Sequence, residues 1–416
     1  ASTWVKNQPI NGKGRAGSTQ NFNLQKYGII QQILFCYTKE FKWTVSGTPA
    51  ADDVEAQITV AAGDVFNVID KIELLSSSRV VSILTSADLL AQFSNLKASE
   101  FATIQAACLS ERGVPKAAVG VATNDLTQSV DFVVPLHFGF MDDVNLNLNS
   151  SFLETLSIRI SYGQHIDNRT AKLKATFNKD TTTCELVEKE LSDCYLRVLY
   201  KSLPEQATAQ MLAENFSADS LVQVASRFYD ENSIQVDKWT SMPGAEDKRS
   251  AAVELKNTDC VESYYAMARA IIPPLTEVPS TALDSQIRVG GYGHPVPFEK
   301  IKFTASGQEM LELSQKELLF TRIQENGWAA STGDADSDTI QSYNVAKVQV
   351  GLYDYSGGGK LSNTQSLREL NAPRMEFTLD ETVEKDIDYR VDLVECTTAI
   401  YQIASNTGRL SLALSN

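Results

Sequence analysis

Six cysteines, three histidines and three runs of neighbouring acids are the side chains of this sequence best suited to nucleophilic, metal or acid–base chemistry. Their spacing decides whether they can act together. Cys36, Cys108, Cys184, Cys194, Cys260 and Cys396 are scattered, and only Cys184 and Cys194 lie close. Ten positions apart is neither a CxxC nor a zinc-knuckle spacing, so the expectation is free, buried thiols in a reducing compartment. His137, His165 and His294 stand alone, whereas a cupin-type metal centre needs clustered imidazoles with a carboxylate. Asp142-Asp143, Asp334/Asp336/Asp338 and Asp380-Glu381 could bind calcium or serve glycoside hydrolysis. The 334–338 stretch alternates like a calcium loop but lacks the Gly and closing Glu of the EF pattern, which favours a solvated loop. Gly357-Gly358-Gly359 is not followed by a helix start with Lys-Ser/Thr, so it reads as a loop tip and not a phosphate cradle. With no GxSxG elbow either, the expectation is no enzyme, no metal and no cofactor.

Charge is more informative than catalytic chemistry. The net charge is −15, yet residues 1–39 hold Lys6, Lys13, Arg15, Lys26 and Lys39 and no acid. The acidic remainder argues against nucleic acid binding by the main surface. The basic amino-terminal arm could face phosphates of lipid or nucleic acid. Trp4, Lys6, Lys13 and Arg15 are the candidate site residues: an interior-facing or membrane-facing arm, with the aromatic at headgroup depth and the cations on phosphates. The competing expectation is a flexible tail ordered only by assembly contacts.

At 416 residues, and ~150 residues per domain, the chain should hold two or three domains. A hydrophobic share of 43% and a charged share of 21% are those of a folded globular protein. No stretch has 18 consecutive apolar residues, and the amino terminus lacks the basic-then-apolar layout of a signal peptide. Runs rich in Val, Ile, Phe and Tyr predict strands at 29–37, 66–74, 130–138, 156–162, 251–255, 264–272, 301–305, 345–353, 375–379 and 389–403. Ser86 and Ser314 are placed to cap short helices. The longest helical expectation is 205–214 followed by 218–229, where Leu221, Val222, Val224, Ala225 and Phe228 form an apolar stripe.

One segment occurs twice. Residues 70–90 match 299–319 without a gap at an offset of 229, with Lys71/Lys300, Ile72/Ile301, Ser77/Ser306, Leu84/Leu313, Leu89/Leu318 and Leu90/Leu319 identical. The strands that follow recur in the same order, so the fold unit is duplicated. About eight strands per copy with large loops fits a jelly roll. The expected fold is therefore all-β: two tandem eight-stranded jelly rolls with short helices and an inter-domain helical linker. The expected divisions are a basic arm at 1–25, a first roll at 26–200, a linker at 201–232 and a second roll at 233–416.

Val134-Pro135-Leu136-His137-Phe138-Gly139-Phe140, followed by Leu146-Asn147-Leu148-Asn149 and Leu153-Glu154-Thr155-Leu156-Ser157-Ile158, resembles the VPLxFxF strand, loop and next strand of double jelly-roll major capsid proteins. Ile301 through Glu309 is similar to their strand-NGxE/D turn, with Ser306 for Asn, and Gly357 through Asn363 stands where they carry an SGxLNFS turn. The ending from Ile400 to Asn416 is similar to their NxLxIxxGxxGLxFSN close. Gly139 in place of the usual Trp, and Lys360-Leu361-Ser362-Asn363 in place of LNFS, set the chain apart from the large-DNA-virus branch. The resemblance is to the PRD1–adenovirus lineage, of the tailless, membrane-containing phage or archaeal virus type. It implies a structural protein made in the host cytoplasm, forming pseudo-hexagonal homotrimers that tile an icosahedral virion over an internal membrane. Implied partners are itself, neighbouring capsomers, penton or minor capsid proteins, and membrane lipid through the arm. Readings from other classes are a viral spike or receptor-binding lectin-like sandwich and a two-domain glycosidase.

Overall fold

The computed structural model describes residues 2–46, 56–60, 68–94, 110–112, 123–141, 149–163, 171–175, 182–186, 190–207, 209–210, 221–232, 250–256, 259–271, 295–296, 298–318, 320, 345–350, 366–379, 388–404 and 408–414. The chain opens with β1 (Ser2–Asn7), β2 (Gly14–Arg15), β3 (Thr19–Asn23), β4 (Ile29–Ser46), β5 (Ala56–Val60), β6 (Ile69–Ser76) and β7 (Arg79–Thr85). Helix α1 (Ser86–Ser94) leads to β8 (Ser110–Arg112), β9 (Thr123–Leu136), β10 (Leu156–Tyr162), β11 (Ala171–Ala175), β12 (Thr182–Leu186) and β13 (Glu190–Lys201). The second half has β14 (Leu221–Asn232), β15 (Ser250–Glu254), β16 (Val261–Ile271), β17 (Pro295–Val296), β18 (Phe298–Ala305) and β19 (Gln308–Ser314). It ends with β20 (Val345–Gln349), β21 (Arg374–Leu379), β22 (Asp388–Ala404) and β23 (Leu410–Leu414).

In the first half β1-β13-β4-β9 form one sheet and β3-β10-β6-β7 another; in the second, the sheets are β14-β22-β16-β20 and β15-β21-β18-β19. Numbered along the chain within each half, both pairs of sheets read 1-8-3-6 and 2-7-4-5. That is the jelly-roll order, twice. Shorter strands extend these sheets, β2 on β13, β8 on β9, β12 on β4, β17 on β16 and β23 on β22, while β5 and β11 pair in a separate two-stranded sheet.

Each roll closes on alternating side chains. In the first, Phe22, Ile72, Leu74, Ile158 and Ile160 face Ile33, Phe35, Tyr37, Phe132, Val134, Leu196 and Val198 across the sandwich. Tyr37 stacks on Phe132 at 4.8 Å, and Phe22 meets Phe35 edge-on at 6.3 Å. In the second, Phe298 and Phe377 (5.7 Å apart) pack with Ile301, Phe303, Met375, Tyr264, Val348 and Leu393. Each such buried side chain contributes roughly 1.5–3 kcal/mol.

The duplicated segment is the β6–β7 hairpin in one roll and the β18–β19 hairpin in the other. Its register repeats pair for pair: Lys71↔Thr85 and Ile72↔Leu84 correspond to Lys300↔Ser314 and Ile301↔Leu313. Even the irregularity recurs, between Leu74/Leu75 and between Phe303/Thr304. Both turns hold two residues at positive φ: Ser77 and Ser78 at 48° and 70°, Ser306 and Gly307 at 54° and 72°. Such turns match the strand twist, and a serine in the left-handed region is strained unless the hairpin enforces it. The following helix is capped alike in both copies. Thr85 N–H donates to Asp88 Oδ2 and Ser314 N–H to Glu317 Oε2, each at 2.8 Å. Asp88 N–H returns a bond to Thr85 Oγ1 at 3.2 Å, which completes a capping box.

Three expectations are corrected. Ser86 is not the cap but the first helical residue, and its hydroxyl donates to the Ile69 carbonyl. The 1–25 arm is built into the first roll as β1, β2 and β3, the first two pairing with β13 and the third with β10. Its inward apolar side chains are few, such as Val5 and Phe22, but a sheet edge is filled by backbone hydrogen bonds that any sequence supplies. The stripe from Leu221 to Phe228 is not helical. From Leu221 to Asn232 the chain is strand β14, paired along its length with β22, and the β-branched and aromatic Val222, Val224 and Phe228 suit that partner. The second roll therefore starts inside the expected linker, and helical backbone is confined there to 205–207 and 209–210 among the described residues.

Replacing Thr85 with Ala removes the cap from α1 while leaving the core untouched. A loss of about 1 kcal/mol is expected, read as a lower urea midpoint, and an unchanged midpoint would show that the capping box contributes nothing.

Candidate functional site: the seam between the rolls

The residues suited to catalysis are not brought together. Cys36, Cys194, Cys260 and Cys396 stand outside any disulfide. Burial pushes the Cys36 thiol up and that of Cys194 to about 12, so both stay protonated at neutral pH and are poor nucleophiles. Among the described residues no group of His, Cys, Asp and Glu could hold a metal ion. His137 follows β9 half-buried, and its carbonyl accepts a bond from Gln92 Nε2 of α1 at 3.1 Å. His165, His294, the three acidic runs and Gly357–Gly359 lie outside the described residues, as do Cys108 and the side chain of Cys184.

The four arm residues sit on the first roll. Trp4 and Lys6 alternate with the inward Val5, so they lie on the outer side of the β1/β13 sheet, opposite Leu199 and Arg197. Lys6 Nζ is 3.9 Å from the Tyr195 ring centroid and 3.7 Å from Asp193. Lys13 reaches Glu190 Oε2 at 3.3 Å, and Arg15 pairs with Glu190 Oε1. These exposed pairs add ~0–1 kcal/mol each, but together they set a carboxylate beside each of Lys6, Lys13 and Arg15.

What the structure does assemble is a seam. The outer faces of β16, β20 and β22 present Tyr265, Met267, Val345, Val394 and Cys396, and these are buried in one cluster with the core of the first roll. Helix α1 packs on β14 and β22, and β7 on β14 and β23. Phe140, just past β9, meets Tyr401 edge-on with ring centroids 5.7 Å apart. Polar contacts fix the alignment at one end. Leu410 N–H donates to Ser76 Oγ at 3.1 Å, and Glu154 N–H to the Gly408 carbonyl at 3.0 Å. Glu154 also accepts from the Ser77 hydroxyl and lies 3.4 Å from Arg409 Nε. The Ser77 hydroxyl, aided by the Arg409 guanidinium, holds the Glu154 carboxyl below the usual carboxylate range.

Gly408 is required twice over. Its φ is +66°, and a Cβ there would fall 2.4 Å from the Phe152 carbonyl oxygen. Sequence reasoning placed Gly408, Arg409, Glu154 and Phe140 within motifs but not against one another. The signal it passed over is the apolar run Tyr264–Ala268 of β16, since a strand exposed on one face alternates.

No family model matches the sequence, and no curated protein does. Solved structures do. The capsid of the virus PBCV-1 aligns over 100% of this chain and 97% of its own, with a TM-score of 0.63 and 13% identity. The major capsid protein of mavirus covers 99% and 90%, at 0.58 and 8% identity. The major capsid protein of faustovirus covers 97% and 90%, at 0.56 and 11% identity. These neighbours are double jelly-roll proteins, and at such identities the likeness is one of fold: the whole chain is a double jelly roll.

Gly408→Ala should open the seam. The amides of Glu154 and Leu410 are expected to exchange hydrogen about tenfold faster, equivalent to ~1.4 kcal/mol, while that of Val198 in the middle of β13 stays protected. Equal protection in variant and parent would contradict the seam. Glu154 also makes the seam sensitive to acid. Its pKa is lowered in the folded chain, so its stabilisation is complete above the usual carboxylate range and is lost as pH falls through the depressed value. Exchange at Glu154 and Leu410, corrected for intrinsic rate, should therefore accelerate on acidification in the parent and not in Glu154→Gln.

Proposed function

We propose that this chain is the major capsid protein of an icosahedral virus, three copies forming one pseudo-hexagonal block. The observation that carries the reading is the pair of rolls with one strand order, held by a buried seam in a single chain that overlays capsid proteins along its full length. A shell needs stiff tiles. Two sandwiches sharing a continuous apolar cluster resist bending at their junction far better than two domains on a flexible linker. A trimer of two-roll chains has six similar corners, and a closed ring satisfies its strong contacts internally, leaving weak and numerous contacts for its neighbours. A glycan-binding module or a glycosidase would gain nothing from keeping two rolls in strict register.

The role is structural. The overlay on capsid proteins along the full chain supports that part of the reading. The sequence departures at Gly139 and Lys360–Asn363 support a phage or archaeal virus as the source. Neighbouring capsomers and penton or minor capsid proteins follow as partners, with the virion as location. Lipid contact through Trp4, Lys6, Lys13 and Arg15 has weaker support. With carboxylates beside each of the three cations, the arm offers lipid phosphates little uncompensated charge, and its backbone is committed to the sheets.

Light scattering on the purified chain tests the proposal. The expected mass is about 137 kDa, three times 45.7 kDa. A monomer that persists across buffers and concentrations would reject the capsomer.

A further inference from the structure

The duplicated hairpin and helix face different surroundings in the two rolls. In the first roll β7 and α1 are covered by β14, β22 and β23 of the second. Val81 is 8% exposed, Leu84 is buried and Ala91 is 0% exposed. At offset 229 stand Met310, Leu313 and Phe320, and here Met310 is 54% and Phe320 65% exposed, while Leu313 packs half-buried on its own roll's core. The same surface is thus covered in one roll and open in the other. The converse holds for the sheets. The outer face of the second roll's β16/β20/β22 is buried by the first roll. Its counterpart in the first roll, formed by β4, β9 and β13, carries Leu34, Val133, Pro135 and Leu199, all left half-buried. These side chains alternate with the inward Ile33, Val134, Leu136 and Val198, so they point away from the core.

We infer that Met310 and Phe320 pack against the outer face of the first roll of a second copy of this chain, around Leu34, Val133, Pro135 and Leu199. This contact repeats between chains the seam already made within one. It rests on the capsid reading for closure at three copies, but the contact itself is argued from the repeat. The donor surface is one whose twin is demonstrably covered by such a sheet, and the acceptor is the twin of the sheet that covers it. Rim charges do not oppose the contact: Glu309 and Glu312 flank Met310 but pair with Lys302 and Lys300 of their own hairpin, and Arg197 lies on the acceptor side. The contact is heterologous, so each chain contributes one donor and one acceptor, and only ring closure leaves neither exposed.

The test is light scattering on the full-length chain over a dilution series. Met310→Glu with Phe320→Glu, and separately Leu34→Glu, should each raise the concentration at which the oligomer dissociates by at least about thirtyfold. Ile83→Glu, at an exposed position of β7 whose twin is already Glu312, should leave it unchanged. Circular dichroism melts matching the parent would show that the variants fold, as expected for substitutions at exposed or half-exposed sites. Mixing the donor variant with the Leu34→Glu variant restores one intact contact per pair, so one-to-one dimers should form. An oligomeric parent whose donor and acceptor variants dissociate no more readily than Ile83→Glu would overturn the inference and leave the capsid reading standing. A parent that is monomeric throughout would instead overturn the capsid reading, and the inference with it.

Discussion

Strands β16 and β22 carry apolar side chains on both sides: Tyr264, Ala266, Val391 and Leu393 look into the second roll, and Tyr265, Met267, Val394 and Cys396 look out of it. A sheet of that kind cannot leave one side in water, because each large side chain left exposed forgoes roughly 1.5–3 kcal/mol. The first roll supplies the cover. Its helix, hairpin and the Phe140 turn lie on that face, and one apolar cluster joins the core of one roll to the outer surface of the other, with Asp392 and Lys347 buried on that face beside Met267 and Tyr265. The polar contacts around Glu154 and Gly408 then fix the alignment that apolar packing alone leaves free to slide.

Duplication explains how such a seam arises and why it need not stop at the chain boundary. Both rolls keep the hairpin register, the irregularity in it and the capping acid of the next helix, so both present one shape. Charges are less strictly kept. Glu73 is held by Arg159 at 2.6 Å in the first roll, whereas the corresponding Lys302 faces Glu376 across its strand pair. A cross-strand ion pair works in either polarity, and the geometry beneath it survives the reversal. Shape shared and chemistry varied is what a tile needs when one surface meets its own chain and the twin surface meets another.

Much of this architecture was legible in the residues. The repeat at offset 229 marked both segments because their turns are local devices, readable from side chains such as Ser77 and Ser306, but the first cap was read one residue late, at Ser86 instead of Thr85. Strands β10, β20, β21 and β22 were legible from β-branched and aromatic density. The first strand of each roll was not. In β1 Val5 is the one apolar side chain on the core face, beside the buried Asn7, so the pattern looks like a polar tail. In β14 apolar residues fall at helical spacing, and nothing local says that β22 will pair with the whole segment. Edge strands are held by partners far away in sequence, and their own residues are weakly constrained. The seam was hidden for the same reason: Glu154 and Gly408 meet across 254 positions, and only their motifs, not their contact, are visible in the chain.

Single-particle electron cryomicroscopy of the purified oligomer addresses the central claim most directly. The account predicts a ring of six rolls in which contacts within and between chains alternate and superimpose, with Phe320 of one chain seated beside Leu34 and Leu199 of the next. A ring whose interchain contacts use other surfaces, or an oligomer with Phe320 in solvent, would contradict it.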